Sequence, residues 1–313
     1  HQPELHRRRG LGVVPMTQVP NIAAECIWDA GAALGEGPVW VAREQALYWV
    51  DIKGDKIHRM KPGSGARSTW ATSAQPCSLA PAAGGGFIGA FRGGFAKVSL
   101  GETEIALEPV ADPEADRPGN RFNDGKVDAR GRFWAGTMDD GETDPSGVLY
   151  RLDPDLSCSR LDDGYVVSNG PAFSPDGRTL YHTDTFAGLI YAFDLGQDGG
   201  LSNKRPFVRI PAESGYPDGM TVDAAGCLWV AHWGGWGLGR FDPDGKPCGR
   251  IDLPVAQVTS CAFGGEDLSK LFITTAAIGL DQEARRAQPL AGGLFICEPD
   301  VGGLPTPLFG AAA

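Results

Sequence analysis

One pattern recurs along almost the whole chain and limits its fold more than any other feature. A short apolar segment with strand character appears six times, and successive segments start between 40 and 48 residues apart. The segments are Leu47–Val50, Phe87–Ala90, Phe133–Gly136, Leu180–Thr183, Leu228–Ala231 and Leu271–Thr274. A period of this length is typical of the four-stranded blades of β-propellers. The repeat therefore predicts six such blades.

The residues around each segment agree with this prediction. A further apolar strand often follows, as in Ile57–Met60 and Val148–Leu152, and it ends in a turn such as Lys61-Pro62-Gly63. Hairpin turns such as Ser174–Gly177 and Asp223–Gly226 precede the segments. A β-sandwich would not explain the long period, and a βαβ fold would need helices that the pattern lacks. We expect an all-β fold, a single six-bladed β-propeller.

The first residues lie outside this repeat. Residues 1–15 contain Arg7-Arg8-Arg9 but no apolar run after it, so they do not resemble a signal peptide. Met16 opens a segment that resembles an ordinary N-terminus. We expect residues 1–15 to be a disordered or vector-derived tail and residues 16–313 to form the single propeller domain.

Charge and cysteine usage narrow the classes of function. The formal net charge is −11, which disfavours binding to nucleic acid and to anionic membranes. Seven cysteines are scattered without a CxxC pair, which is typical of reduced thiols in a cytoplasmic protein. No apolar run reaches the length of a membrane-spanning helix. A small-molecule ligand and a metal ion stay compatible with the sequence, and a monomer and a homodimer are equally compatible.

Oxygen-bearing side chains recur at one phase of the repeat, each followed by glycine at the entry to the first strand of a blade. They occur in the dipeptides Glu36-Gly37, Asp124-Gly125, Asn169-Gly170 and Asp218-Gly219. Equivalent positions in a propeller converge on its axis, so we expect Glu36, Asn169 and Asp218 to meet there, with Asn123 and Asp124 nearby. Converging anionic oxygens need a counter-charge, and oxygen ligands suit hard divalent cations. The alternative is that these dipeptides only form turns.

Six stretches make the chain resemble the SMP-30/gluconolactonase family, which includes regucalcin and bacterial sugar lactonases. They are Leu34–Trp40, Asn120–Asp128, Ala135–Met138, Ser168–Gly170, Pro217–Met220 and Gln288–Gly293. The resemblance implies a six-bladed propeller with one divalent metal ion in its channel. The ion could be Ca²⁺, Mn²⁺, Zn²⁺ or Fe²⁺.

The resemblance also assigns roles to particular residues. The implied metal ligands are Glu36, Asn169 and Asp218, and Asp218 is also the implied general base. Arg121 and Asn123 match the substrate-contacting positions of the family. Asp140 stands near the position of a further substrate-contacting carboxylate, often Glu in the family, so its side chain here is shorter.

The implied activity is hydrolysis of a sugar lactone, an aldonolactone, to its aldonic acid. The alternative is a non-catalytic calcium-binding regulator of the regucalcin type. His182 and His232 could line the channel mouth or be packed strand residues. Trp233 and Trp236 could lie over a sugar ring or cap the rim.

Overall fold

The structure is a computed structural model, and it describes residues 22–311. These residues form six four-stranded antiparallel sheets. The first strands of successive sheets contact one another in a closed ring around a central channel. The prediction of an all-β, six-bladed β-propeller is therefore confirmed. The predicted tail at residues 1–15 lies outside the described residues.

Strand β1 (Glu25–Trp28) comes before the first complete blade. Blade I contains β2 (Gly35–Val41), β3 (Ala46–Asp51), β4 (Lys56–Lys61) and β5 (Ala66–Ala71). Blade II contains β6 (Pro76–Pro81), β7 (Phe87–Phe91), β8 (Gly94–Leu100) and β9 (Ile105–Ala111). Blade III contains β10 (Asn120–Val127), β11 (Phe133–Asp139), β12 (Gly147–Leu152) and β13 (Cys158–Tyr165).

Blade IV contains β14 (Ser168–Phe173), β15 (Thr179–Asp184), β16 (Leu189–Leu195) and β17 (Leu201–Arg209). Blade V contains β18 (Tyr216–Val222), β19 (Leu228–Trp233), β20 (Gly237–Phe241) and β21 (Pro247–Asp252). Blade VI contains β22 (Val258–Gly264), β23 (Lys270–Thr275) and β24 (Leu294–Cys297). One short α-helix, α1 (Gln282–Ala287), lies between β23 and β24.

Blade VI is completed by the beginning of the chain. Strand β1 pairs with β24 in an antiparallel register that places Glu25 opposite Ile296, so β1 is the outermost strand of this blade. Backbone hydrogen bonds thereby join the two ends of the described chain and close the ring. The first strands of blades VI and I, β22 and β2, also pack against each other.

Burial falls from the channel outwards within each sheet. Strand β3 is buried at all six positions because the neighbouring blades cover both of its faces. In contrast, β5 exposes four of its six residues. The second strands are therefore continuous apolar runs, which is why they gave the clearest sequence signal.

The predicted hairpin turns are present between the first and second strands. The Gly177 amide donates to the Ser174 carbonyl at 2.9 Å, and the Gly226 amide donates to the Asp223 carbonyl at 2.9 Å. Both glycines have positive φ, as tight turns of this kind require. These turns lie at the end of the channel where the first strands finish.

Candidate functional site

The four oxygen-bearing residues lie inside the first strands of their blades. We predicted that they would precede those strands, and the structure corrects this detail. Glu36, Asp124, Asn169 and Asp218 belong to β2, β10, β14 and β18, where the pairing with the second strand shifts register. Such a bulge changes the direction of a side chain without ending the strand.

The glycines that follow these residues serve two different needs. Gly37 and Gly170 have φ of 54° and 90°, a region that side chains other than glycine rarely adopt. Gly219 lacks positive φ, but a Cβ there would meet Ser260 Oγ at 2.2 Å. The glycine therefore permits the bulge at two sites and permits close packing of a neighbouring blade at another.

Glu36 and Asp218 form a buried pair of carboxyl groups. Both residues are less than 10% exposed, and the two groups are close enough to share a hydrogen bond when one is protonated. Burial, followed by the negative charges of Asp218 and Asp124, raises the pKa of Glu36 well above its usual value. Burial likewise raises the pKa of Asp218. Two such groups are both ionised only when a positive charge lies beside them.

Asp124 is a third buried carboxylate in this region, but the backbone holds it. Its oxygens accept hydrogen bonds from the amides of Gly125 and Gly170, both at 2.8 Å. Burial raises the pKa of Asp124 to about 6, against the attraction of Lys126. Lys126 donates to the Met220 carbonyl at 2.7 Å. Asp124 therefore connects the inner strands of blades III and IV.

Asn169 is oriented by two neighbouring side chains. Its Nδ2 donates to Thr185 Oγ1 at 2.8 Å, and its Oδ1 accepts from Asn123 Nδ2 at 3.1 Å. An amide oxygen has two lone pairs, so one stays available to a further partner. Asn123 also donates to the Ser168 carbonyl at 2.9 Å, which fixes its own position.

Arg121 continues the same network away from the axis. It is 4% exposed, and Nη1 donates to Asn123 Oδ1 at 2.9 Å and to the Phe122 carbonyl at 3.0 Å. Its Nε donates to Asp140 Oδ1 at 2.7 Å. The structure thus connects Asn169, Asn123, Arg121 and Asp140 through consecutive hydrogen bonds.

Asp140 lies among three cationic side chains. Besides Arg121, Lys53 Nζ donates to its Oδ1 at 2.6 Å and Arg92 Nη1 donates to its Oδ2 at 3.2 Å. Burial alone would raise the pKa of Asp140, but hydrogen bonds from Lys53 and Arg121 lower it below its usual value. This carboxylate is therefore ionised at neutral pH.

Sequence reasoning missed Lys53 and Arg92. Both follow the second strand of their blades and precede a glycine, as Asp140 does, in Lys53-Gly54, Arg92-Gly93 and Asp140-Gly141. The turns after second strands lie at the end of the channel where the first strands begin. The phase of the repeat was therefore a signal that could have identified them.

The donor set of the predicted metal site fits a divalent cation. Within residues 22–311, no group of three or more His, Cys, Asp and Glu side chains is arranged to hold a metal ion by itself. The set instead combines the Glu36 and Asp218 carboxylates with the amide oxygen of Asn169. Its all-oxygen chemistry suits hard cations, and the buried carboxyl pair would be stabilised by one.

The two histidines are packed strand residues. Both are fully buried, and burial lowers the pKa of His182 to about 3 and that of His232 to about 4. His182 packs edge-on against Tyr165 with ring centroids 4.8 Å apart. His232 Nδ1 lies 2.8 Å from the Ser214 carbonyl. The structure therefore favours the structural alternative for both.

Exposed aromatic rings surround part of the mouth. Trp236 lies in the turn after β19, Phe186 lies in the turn after β15, and Tyr216 begins β18. Each is more than a third exposed, and the rings of Phe186 and Tyr216 lie 5.7 Å apart. Trp236 is thus placed on the rim, at the same end of the channel as Glu36, and Trp233 ends β19 beside it.

A large cavity lies at the opposite end of the channel. Its volume is about 700 Å³, and it is lined by the later residues of the first strands and by residues 304–307. Glu36, Asn169, Asp218 and Arg121 are not among its lining residues. The volume of this cavity does not make it the candidate site, because the buried carboxyl pair and the hydrogen-bonded network lie at the other end of the channel.

No helix within residues 22–311 has the length and apolar character needed to cross a membrane. All seven cysteines belong to these residues, and all are free thiols.

Comparison with known proteins gives consistent relationships over most of the chain. Residues 34–277 match the family model described as SMP-30/Gluconolactonase/LRE-like region. Regucalcin of Danio rerio is 40% identical over 279 residues, which cover 88% of this chain and 94% of that protein. A 6-deoxy-6-sulfogluconolactonase of Pseudomonas putida is 38% identical, with 92% of this chain and 99% of that protein covered.

A solved structure shows the same fold. The calcium-binding protein regucalcin of Agrobacterium tumefaciens is 29% identical and superposes with a TM-score of 0.86, covering 92% of this chain and 97% of the other. The repeat, the six blades and the extent of these matches lead to one conclusion: the chain belongs to the SMP-30/gluconolactonase/LRE-like family.

Proposed function

We propose that the protein hydrolyses a sugar lactone to the corresponding aldonic acid with the help of one divalent metal ion. Relatives named as lactonases support a lactone hydrolase in general terms. The observation that carries the metal-dependent form is the buried contact of Glu36 with Asp218. Two carboxyl groups removed from water beside one another call for a cation.

Glu36, Asn169 and Asp218 would hold the ion. When bound, a divalent metal supplies Lewis-acid polarisation of a carbonyl and lowers the pKa of water in its coordination shell. The hydrogen bonds from Asn123 and to Thr185 hold the Asn169 oxygen in place before any ligand enters. Little reorganisation is then required when the site is filled.

Asp218 is the proposed general base. Asp218 lies near the start of β18, the first strand of blade V, and its carboxyl group contacts that of Glu36 from blade I. Beside a bound cation, Asp218 would be ionised and could accept a proton from the attacking water or orient it. The same cation also weakens its basicity, so orientation of water is a substantial part of this role.

Arg121 and Asn123 are the proposed substrate contacts. The Arg121 guanidinium is a planar donor group, and Asn123 both donates and accepts, a combination that suits a polyol. Asp140 fixes Arg121 through the 2.7 Å hydrogen bond at Nε. Its own contact with substrate, expected from the resemblance, stays a proposal.

The direct test is opening of a panel of xylono-, arabinono-, glucono- and galactonolactones by protein stripped of metal and then reloaded with Ca²⁺, Mn²⁺, Zn²⁺ or Fe²⁺. Acid release is followed, and spontaneous opening is subtracted. We expect turnover only after reloading, with one preferred lactone. Absence of turnover with every metal would contradict the proposal.

A second candidate is a non-catalytic calcium-binding regulator. The regucalcin names of several relatives favour it, and one solved relative is described as a calcium-binding protein. The hydrogen-bonded Arg121–Asn123 pair favours the enzyme, since a calcium sensor has no need of it.

We further propose that residues 16–313 act as one lactonase domain in the cytoplasm, without a nucleic-acid partner and as a monomer or homodimer.

A further inference from the structure

We infer that Lys53 and Arg92 form a binding subsite for an anionic substituent of the lactone, remote from its reacting carbonyl. The inference rests on the proposed function and narrows it: the substrate would be a sugar lactone that carries a phosphate, a sulfonate or a second carboxylate. Three observations support the inference: the charge balance around Asp140, the unused hydrogen-bond donors, and the cavity beside Arg92.

The charge around Asp140 is unbalanced. One carboxylate accepts hydrogen bonds from Lys53, Arg92 and Arg121, three residues from blades I, II and III. The cluster therefore carries two more positive than negative charges, in a chain whose formal net charge is −11. Neutralising Asp140 needs one cation, and the buried Arg121 already supplies it at 2.7 Å. Lys53 and Arg92 are in excess of that need.

The excess cations have donors to spare. Among residues 22–311, the Lys53 ammonium bonds only to Asp140, and the Arg92 guanidinium uses only Nη1. Their side chains are 27% and 38% exposed, so solvent and a ligand can reach them. Oxyanions with several acceptor oxygens match such donors.

Space for a substituent is present beside Arg92. A cavity of about 320 Å³ is lined by Arg92, Arg117 and Arg121, together with Asp112 and Glu114. Glu114 is occupied by hydrogen bonds from Asn120, Thr137 and Tyr150. The cavity therefore presents guanidinium groups next to the subsite.

The subsite lies next to the proposed metal ligands without sharing a residue with them. Hydrogen bonds connect Asp140 through Arg121 and Asn123 to Asn169. An anionic group held at Lys53 and Arg92 would orient the lactone with its carbonyl towards Glu36, Asn169 and Asp218.

The test compares binding of aldonic acids that differ in one substituent. Protein reloaded with Ca²⁺ is titrated calorimetrically with gluconate, 6-phosphogluconate and glucarate. Wild type is compared with Lys53→Gln, Arg92→Gln and the double variant, since glutamine retains a donor for Asp140. Lys97→Gln is the control, because Lys97 lies on β8, is 50% exposed and pairs with Glu108.

We expect at least tenfold tighter binding of 6-phosphogluconate than of gluconate, and loss of most of that preference in the double variant. The control should keep the preference, and added salt should reduce it. Preference for glucarate alone would assign the subsite to carboxylates. Equal binding of all three acids by wild type, or an equal loss for all three in the variants, would overturn the inference.

Turnover separates this inference from the proposed function. The ratio of kcat/KM for 6-phosphogluconolactone and gluconolactone should fall at least tenfold in the double variant. If no lactone is opened but 6-phosphogluconate binds preferentially, the hydrolase proposal fails and the subsite stands. If lactones are opened and the acids bind without preference, the subsite fails and the hydrolase proposal stands.

Discussion

Two carboxylate clusters at this end of the channel, called here the positive side (Asp140 with its cations) and the negative side (Glu36 with Asp218), differ in what balances their charge. On one side, Asp140 is ionised and is held by Lys53, Arg92 and Arg121. On the other side, Glu36 and Asp218 are buried against each other, and burial with mutual repulsion raises the pKa of Glu36. The protein supplies an excess of counter-charge to the first side and leaves a deficit on the second.

This difference predicts which kind of ion each side binds. The charge of Asp140 is already neutralised by its cationic neighbours, and the excess positive charge is available to an anion. A buried carboxyl pair without adjacent cations is complete only after it takes up a proton or a metal ion. The following predictions alter one side at a time.

The largest effect is expected from Asp218→Asn. This substitution removes the proposed base and one of two anionic ligands while preserving side-chain volume. We expect kcat on the preferred lactone to fall by at least about 10³-fold, since metal binding and proton transfer fail together. Turnover and metal affinity are measured on the same preparation. Retention of both at wild-type values would contradict the assignment.

A smaller loss is expected from Arg121→Ala, which acts between the two sides. The substitution leaves all three proposed metal ligands in place, so metal affinity should stay within about threefold of wild type. Turnover should fall about 10²-fold, because the substrate loses its orienting donor. Calorimetry and initial rates check the two parts. Unchanged turnover would contradict the assignment of Arg121 as a substrate contact.

The bulge that presents Asp218 is tested by Gly219→Ala. A Cβ at this position would lie 2.2 Å from Ser260 Oγ and 2.9 Å from the Thr259 carbonyl, so the strand must shift. We expect a loss of about 1–3 kcal/mol in the free energy of unfolding and weaker metal binding. The matched control is Gly63→Ala, where no atom lies within 4 Å and φ is not positive. Equal behaviour of the two variants would contradict this role of the bulge.

On the positive side, Asp140→Asn should leave three cations without their shared carboxylate. We expect the free energy of unfolding to fall by about 1–2 kcal/mol, the magnitude of a lost charge-assisted hydrogen bond. Denaturant unfolding measures it. Asp163→Asn, which removes the exposed partner of Arg160, should change stability far less. Equal unfolding midpoints for Asp140→Asn and Asp163→Asn would contradict this prediction.

The smallest effect is a pH dependence on the negative side. Because the folded pKa of Glu36 and Asp218 is raised, the metal-free folded protein binds more protons than the unfolded chain above about pH 4. Its stability should therefore fall as the pH rises through the interval between unfolded and folded pKa. Metal removes this loss, so the gain in Tm on adding metal should grow with pH. A metal-induced gain in Tm that decreases as the pH rises would contradict this prediction.

Much of the fold was predictable because its signal is local and repeated. The second strands are apolar runs, and their spacing alone predicted six blades. Pairing of β1 with β24 was not predicted. It joins residues some 270 positions apart, and the sequence of Glu25–Trp28 does not indicate which strand it pairs with. The position of Glu36 within a strand was also not predicted. Gly37 is compatible with a turn before the strand and with a bulge inside it, so the sequence does not distinguish the two.

The candidate site was predicted from the same repeat, and its residue roles stay predictions. Equivalent phase in the repeat selected Glu36, Asn169 and Asp218, and the structure places them at one end of the channel. Lys53 and Arg92 were missed because contact between turns of different blades arises only when the ring is closed. The charge balance of the mouth is thus a property of the assembled propeller.

The central claim is that the negative side is completed by one metal ion held by Glu36, Asn169 and Asp218. Calorimetric titration of metal-free wild type and of Glu36→Gln with Ca²⁺, Mn²⁺ and Zn²⁺ tests it most directly. The account predicts one ion per chain in wild type and at least about 10²-fold weaker binding in the variant. Absence of binding to wild type, or equal affinity in the two proteins, would contradict it.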